Sequence, residues 1–277
     1  MNHLEGTFKG IRNTEFYYQA WLPDGSIKGV ILIVHGLGEH SGRYTNYVNY
    51  FVPRGYAIYG YDHIGHGRSG GEREVIVRFE DFIEPLTAYY DMVKGWQPGK
   101  PIFIFGHSLG GLIASYYLLD HQSLFQGGII SSPLVTVPSY ITPFTIIMGK
   151  VLSRLAPKMG LIPLDANQIS RDPAVVNAYV NDPLVFHKKT PTRMSAEMLR
   201  AMTRVTAEVS KITLPLLIIQ GEEDHLVEVH GSNLLKDKAQ SQDKAIKIYP
   251  GLYHEVHNEP EREIVFKDVE AWLDNHL

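Results

Sequence analysis

The six residues Gly106-His107-Ser108-Leu109-Gly110-Gly111 follow directly on the apolar run Pro101-Ile102-Phe103-Ile104-Phe105 and lead into a helical pattern over Ser108–Leu119. Few architectures accept that junction. A serine with glycine two positions to either side, set between a buried strand and a helix, needs a sharp turn that lifts the serine out of the sheet. Gly106 and Gly110 are expected to leave room where a Cβ would clash. Ser108 then lies at a helix N-terminus, where the Leu109 N–H is free to hold an anion. A plain glycine-rich first turn with a capping serine is the alternative, and the strand and helix around the motif argue against it. The glycine spacing does not fit the dinucleotide fingerprint G-x-G-x-x-G.

The rest of the chain repeats the strand-then-helix theme. Val30–Val34 is a continuous aliphatic run of the kind buried on both faces. Ile58–Tyr61, Ile102–Phe105, Gly128–Ile130 and Leu216–Ile219 read the same way, and Ala245–Tyr249 is another strand. Helical patterns fall at Arg43–Val52, Phe79–Gly95, Ser108–Leu119, Val229–Gln240 and Pro260–His276. This alternation predicts an α/β fold, a mostly parallel sheet with helices on both faces. Leu4–Lys9 and Glu15–Trp21 instead predict an antiparallel pair at the sheet edge, making eight strands.

Between about Leu134 and Lys211 the alternation stops, which predicts a helical insertion at 135–210 within a core of 1–134 and 211–277. Phe144, Ile147, Met148, Val151, Leu152 and Leu155 share one helical face, while Lys150 and Arg154 lie on another. That apolar face either packs on the body of the protein or meets substrate or a membrane surface. His121–Gly149 carries no charged residue, yet Pro133, Pro138 and Pro143 exclude a spanning helix there. The balance of 26 basic and 30 acidic residues, net −4, argues against a nucleic-acid partner. With no cysteine, disulfides, thiolate metal sites and a cysteine nucleophile are excluded; such a chain fits a reducing compartment, here the cytoplasm.

A serine nucleophile needs a base, a carboxylate to orient it and donors for an oxyanion. Gly221-Glu222-Glu223-Asp224-His225 places acids just beyond a strand end, and Asp224, four residues on, is the expected one, with Glu222 and Glu223 as rivals. His254 follows the last strand and is the expected base, with His257 as rival. Serine, acid and histidine stand in the chain order of an α/β-hydrolase. The loop His35-Gly36-Leu37-Gly38 after Val30–Val34 is expected to give the second oxyanion donor, so the hole is assigned to the N–H groups of Leu37 and Leu109. His254-Glu255-Val256-His257 is one residue short of the zinc motif H-E-x-x-H, and Asp62, His63 and His66 are read as turn scaffolding. No metal site is expected.

His35–Tyr44, Tyr61–Ser69, Gly106–Gly111, Ser241–Lys244 and the surroundings of Asp224 and His254 resemble monoacylglycerol lipases and their close relatives the lysophospholipases. Ile169-Ser170-Arg171 and Tyr179–Leu184 in the insertion resemble them as well. The resemblance implies an α/β-hydrolase core, a helical cap, no cofactor, a small lipid ester as substrate, and Ser108, Asp224 and His254 as triad. It further implies that Glu39, Arg43, His107, Tyr179 and His257 surround the glycerol end of the substrate, although Glu39 and Arg43 have charges that would also pair with each other. Transient contact of the cap with a membrane surface is expected. A lysophospholipase, a general carboxylesterase or an acyltransferase would use the same triad, and a catalytically dead binding module would retain the fold.

Overall fold

The aliphatic run expected to be buried on both faces is β3 (Gly29–Val34), and all six of its residues are buried. The computed structural model describes residues 1–139 and 141–277. Around β3 stand β1 (Asn2–Lys9), β2 (Glu15–Leu22), β4 (Tyr56–Tyr61), β5 (Ile102–His107) and β6 (Gly127–Ser131), joined by β9 (Leu216–Gly221) and β10 (Lys244–Tyr249). These eight make one sheet in the order β1-β2-β4-β3-β5-β6-β9-β10. β1 and β2 are antiparallel at its edge, as predicted, and the pairings from β4 to β10 are parallel.

Side chains alternate across β3. Val30, Leu32 and Val34 join one core cluster, with α2 (Glu80–Trp96) and α3 (Leu109–His121); Ile31 and Ile33 join the other, with α1 (Thr45–Phe51) and α8 (Arg262–Asp274). Two apolar layers thus hold the sheet from both sides, which is what a run without polar alternation requires. The helix expected from Arg43 begins instead as a 3₁₀ turn over Ser41–Tyr44, where the His40 ring accepts the Gly42 N–H at 3.2 Å, and only then becomes α1. α7 (Val229–Lys238) lies between β9 and β10 in the chain and fills the Val229–Gln240 pattern.

Between β6 and β9 come α4 (Pro143–Leu155), α5 (Pro173–Asn181) and α6 (Thr192–Glu208). The uncharged stretch from His121 is divided among the end of α3, β6 and the start of α4. Among the described residues no helix is long and apolar enough to cross a membrane. The insertion is not purely helical: β7 (Gly160–Ile162) and β8 (Thr190–Pro191) form a short antiparallel ladder. Strands of three and two residues are too short to leave a period in the sequence. α6 roots the insertion in the main core through Met194, Met198, Ala201, Met202 and Val205, which recur at helical spacing. α4 departs from the packing alternative. Phe144, Ile147, Val151 and Leu155 face outward, from 47 to 78% exposed, while Gly149 and Ser153 are buried and Thr145, Ile146, Gly149 and Lys150 border a cavity.

Candidate active site

The junction of β5 and α3 shows why the glycines are there. A Cβ on Gly106 would lie 2.4 Å from the Gly110 carbonyl oxygen, and one on Gly110 only 1.9 Å from that of Val34. Without those side chains α3 can start against the end of β3. Ser108, between them, sits at φ 55°, ψ −116°, a left-handed conformation costly for any residue but glycine. Its N–H donates to the Ser131 carbonyl at 2.9 Å, and its own carbonyl accepts from Leu112 and Leu134, both at 3.1 Å. The strain is therefore held by backbone bonds on both sides.

Beyond β9, the Asp224 carboxylate is buried and fully engaged. Oδ1 accepts the N–H groups of Leu226 (3.0 Å) and Val227 (2.9 Å); Oδ2 accepts Gln220 Nε2 (3.2 Å) and the Nδ1–H of His254 (2.8 Å). Glu222 and Glu223 point to solvent. Since Asp224 can only accept from Nδ1, His254 Nε2 is left with its lone pair on the far side of the ring. Burial lowers the pKa of His254, but the Asp224 carboxylate overrides it, and the ring titrates above the ordinary histidine value. Among the described residues His257 has no carboxylate partner: both its ring nitrogens are buried without a hydrogen bond, the ring stacks on Tyr44, and burial pushes it down to about 4.

Leu37, Ser108 and His254 line one cavity. Its walls are mostly apolar, with Ile146 of α4, Leu161 of β7, Met198 and Met202 of α6, and Leu226 among them. Ser108 and His254 make no direct hydrogen bond; such contacts commonly tighten on substrate binding. Neither the Leu37 nor the Leu109 N–H has an acceptor among the described residues.

The five residues expected at the polar end of the substrate are close to this cavity but do not line it. Arg43 binds Glu255 through both terminal nitrogens, at 2.6 and 2.8 Å, and Glu39 at 2.8 Å. The other Glu39 oxygen accepts the Gly36 N–H (2.6 Å) and the Tyr44 hydroxyl (2.7 Å). Glu39 and Arg43 are thus saturated by protein groups, and Tyr179 of α5 lays its ring against the Arg43 guanidinium, 4.7 Å away. Burial pushes the Glu39 carboxyl up; Glu255, likewise buried, is held below the carboxylate range by the guanidinium across from it. His107 is buried and kept neutral by that burial, its Nδ1 3.3 Å from Ser131 Oγ.

Several supports escaped the sequence reading. Gln220 is the polar side chain near the end of an otherwise aliphatic strand, a signal in hindsight, and is itself held by Ser232 at 2.5 Å. Ser132, at φ 44°, donates its hydroxyl to the His254 carbonyl at 2.8 Å. Glu255 stood beside His254 and was read only as part of a failed zinc motif. Asp62 is used up as an acceptor for Ser41 and Arg68, and among the described residues no cluster of three metal-ligating side chains forms.

A mostly parallel sheet carrying a strained serine after β5, an acid after β9 and a histidine after β10 defines an α/β-hydrolase. Residues 25–261 match the family described as serine aminopeptidase, S33. The monoacylglycerol lipase of Mycolicibacterium smegmatis is 37% identical over 99% of this chain and 98% of its own. The human monoglyceride lipase is 37% identical over 91% of this chain and 84% of its own. A solved monoacylglycerol lipase from Paleococcus ferrophilus superposes over the whole of both chains with a TM-score of 0.83 at 30% identity. The chain belongs to the monoacylglycerol lipase group of the α/β-hydrolases.

Proposed function

We propose that this carboxylic ester hydrolase cleaves monoacylglycerols to glycerol and a fatty acid, with Ser108 as nucleophile, His254 as base and Asp224 as its orienting carboxylate. Ser108 Oγ attacks the ester carbonyl while its proton passes to His254 Nε2. The Leu37 and Leu109 N–H groups receive the oxyanion. Collapse expels the glycerol oxygen, which takes the proton from His254 and leaves an acyl-serine. Water attacks the acyl-serine and gives a proton to His254; the second collapse frees the fatty acid and returns the proton to Ser108. One oxyanion donor is typically worth about 2.7–4 kcal/mol of transition-state stabilisation.

The observation that carries this reading is the opening of the Ser108–His254 side onto a mostly apolar cavity, which suits one acyl chain. The names of the relatives support the monoester. In this reading residues 135–210 form a lid over the core, and the outward face of α4 with Phe144, Ile147 and Val151 touches a lipid surface. Glu39, Arg43 and Tyr179 hold the oxyanion loop in shape, and His107 and His257 pack behind the triad.

Release assays on a monoacylglycerol, a lysophospholipid, a triacylglycerol and a methyl ester of one fatty acid test it, and a clear preference for the lysophospholipid would sink the substrate assignment. A fluorophosphonate should label Ser108, and Ser108→Ala should approach the ~10⁶-fold loss typical of a missing triad serine. Substantial activity in a folded Ser108→Ala variant would overturn the mechanism.

A further inference from the structure

His35 lies at the start of the oxyanion loop and takes no part in the chemistry proposed above, yet it is fully buried and fixed at both ring nitrogens. Nδ1 lies 2.8 Å from the Gly36 carbonyl oxygen, and Nε2 lies 2.9 Å from the backbone nitrogen of His63. The carbonyl can only accept and the His63 N–H can only donate. The ring is therefore neutral, with its proton on Nδ1. Burial acts in the same direction, holding the pKa of His35 well below the ordinary value. His63 completes a reciprocal clasp: its Nε2–H donates to the His35 carbonyl at 3.0 Å, and the two rings lie 3.9 Å apart.

The Gly36 carbonyl and the Leu37 N–H belong to one planar trans peptide and point in opposite directions. Fixing the oxygen fixes where the N–H aims. That peptide runs beside the nucleophile, since a Cβ on Gly36 would stand 3.4 Å from Ser108 Cβ. If the peptide turned over, its oxygen would face the developing oxyanion and its N–H would meet the Nδ1–H of His35, donor against donor. We propose that His35 is a positioning residue that keeps the Leu37 N–H aimed into the oxyanion hole, with His63 locking the tautomer that makes this possible. The inference rests on the proposed hydrolytic mechanism and deepens it.

Two substitutions separate the ring's two bonds. In His35→Asn the side-chain amide nitrogen takes the place of Nδ1 and still donates to Gly36, while the His63 N–H loses its acceptor. In His35→Gln the amide oxygen reaches the His63 N–H, and the Gly36 bond is lost. The assay is kcat and KM on a soluble short-chain ester, with Tm and inhibition by a trifluoromethyl ketone, whose adduct places an oxyanion in the hole. His35→Gln should lower kcat about 10²-fold, the low end for losing one oxyanion donor, with KM little changed and ketone affinity falling in the same ratio as kcat/KM. His35→Asn should keep most of kcat even though its Tm falls. Equal losses of kcat in the two variants, normal kcat in His35→Gln, or losses confined to KM would each overturn the proposal. Fluorophosphonate labelling of the wild type separates the two levels. If Ser108 is not labelled the mechanism itself fails; if it is labelled and His35→Gln turns over normally, only the role of His35 fails.

Discussion

Replacing Arg43 with methionine keeps the bulk of the side chain against Tyr179 and removes the one cation between two buried carboxylates. The side chains of Arg43, Glu39 and Glu255 are 9, 3 and 4% exposed, so water does not take over as counter-charge. Glu39 retains the Gly36 N–H and the Tyr44 hydroxyl, and Glu255 retains Asn258 Nδ2 at 2.7 Å. Removing one partner from a buried ionic cluster costs about 3–5 kcal/mol. An unfolding entropy of ~2.1 cal/mol/K per residue gives this chain roughly 0.6 kcal/mol/K, so Tm should fall by about 5–9 °C. Glu39, already pushed up by burial, should take a proton, and the double variant Arg43→Met with Glu255→Gln should recover part of the loss. Calorimetry reads the stability. Hydrolysis of a monoacylglycerol and of the methyl ester of the same acid reads the function, and both rates should suffer alike because the proposed oxyanion loop is what moves. An unchanged Tm together with a KM increase for the monoacylglycerol alone would refute the brace and make Arg43 a substrate contact.

Two further expectations follow from the same geometry. Gly110→Ala should destabilise by about 3 kcal/mol or more, because the new Cβ meets the backbone oxygens of Val34 and His35, while Gly25→Ala, with nothing within 4 Å, should be neutral; equal thermal melts for the two would sink the close-approach argument. The proposed base His254 would work only when neutral, and its pKa is raised above 6.5, so kcat/KM on a soluble ester should fall as pH drops through a value above 6.5. In Asp224→Asn burial remains without the carboxylate. The limb should then move to lower pH, with kcat down on the order of 10⁴-fold; a limb that stays in place would show that Asp224 does not hold this ring.

The strand–helix alternation, the antiparallel edge and the serine turn were legible because local chemistry dictates them. An unbroken aliphatic run such as Val30–Val34 has to be covered on both faces, and Gly106 and Gly110 are permitted only where backbone comes too close for a Cβ. Those constraints act over a few residues and survive in the linear sequence. Which of three adjacent acids meets the histidine was a different matter. Asp224 turns inward to two backbone N–H groups and His254 while its glutamate neighbours stay in water, an outcome set by the loop after β10, thirty residues away. Glu39 and Arg43 looked like polar groups for a substrate, and only the approach of Glu255 across the fold gave the guanidinium its second partner. The apolar stripe of α4 left packing on the body and contact with substrate or a membrane surface both open, and the tertiary arrangement turned Phe144, Ile147, Val151 and Leu155 to solvent while Thr145 and Lys150 border the cavity. The sequence by itself determined the fold and the strained turn that carries Ser108, because sterics and desolvation act locally. Tertiary structure decided the pairings of charge and the facing of α4, because these depend on which distant group displaces the water.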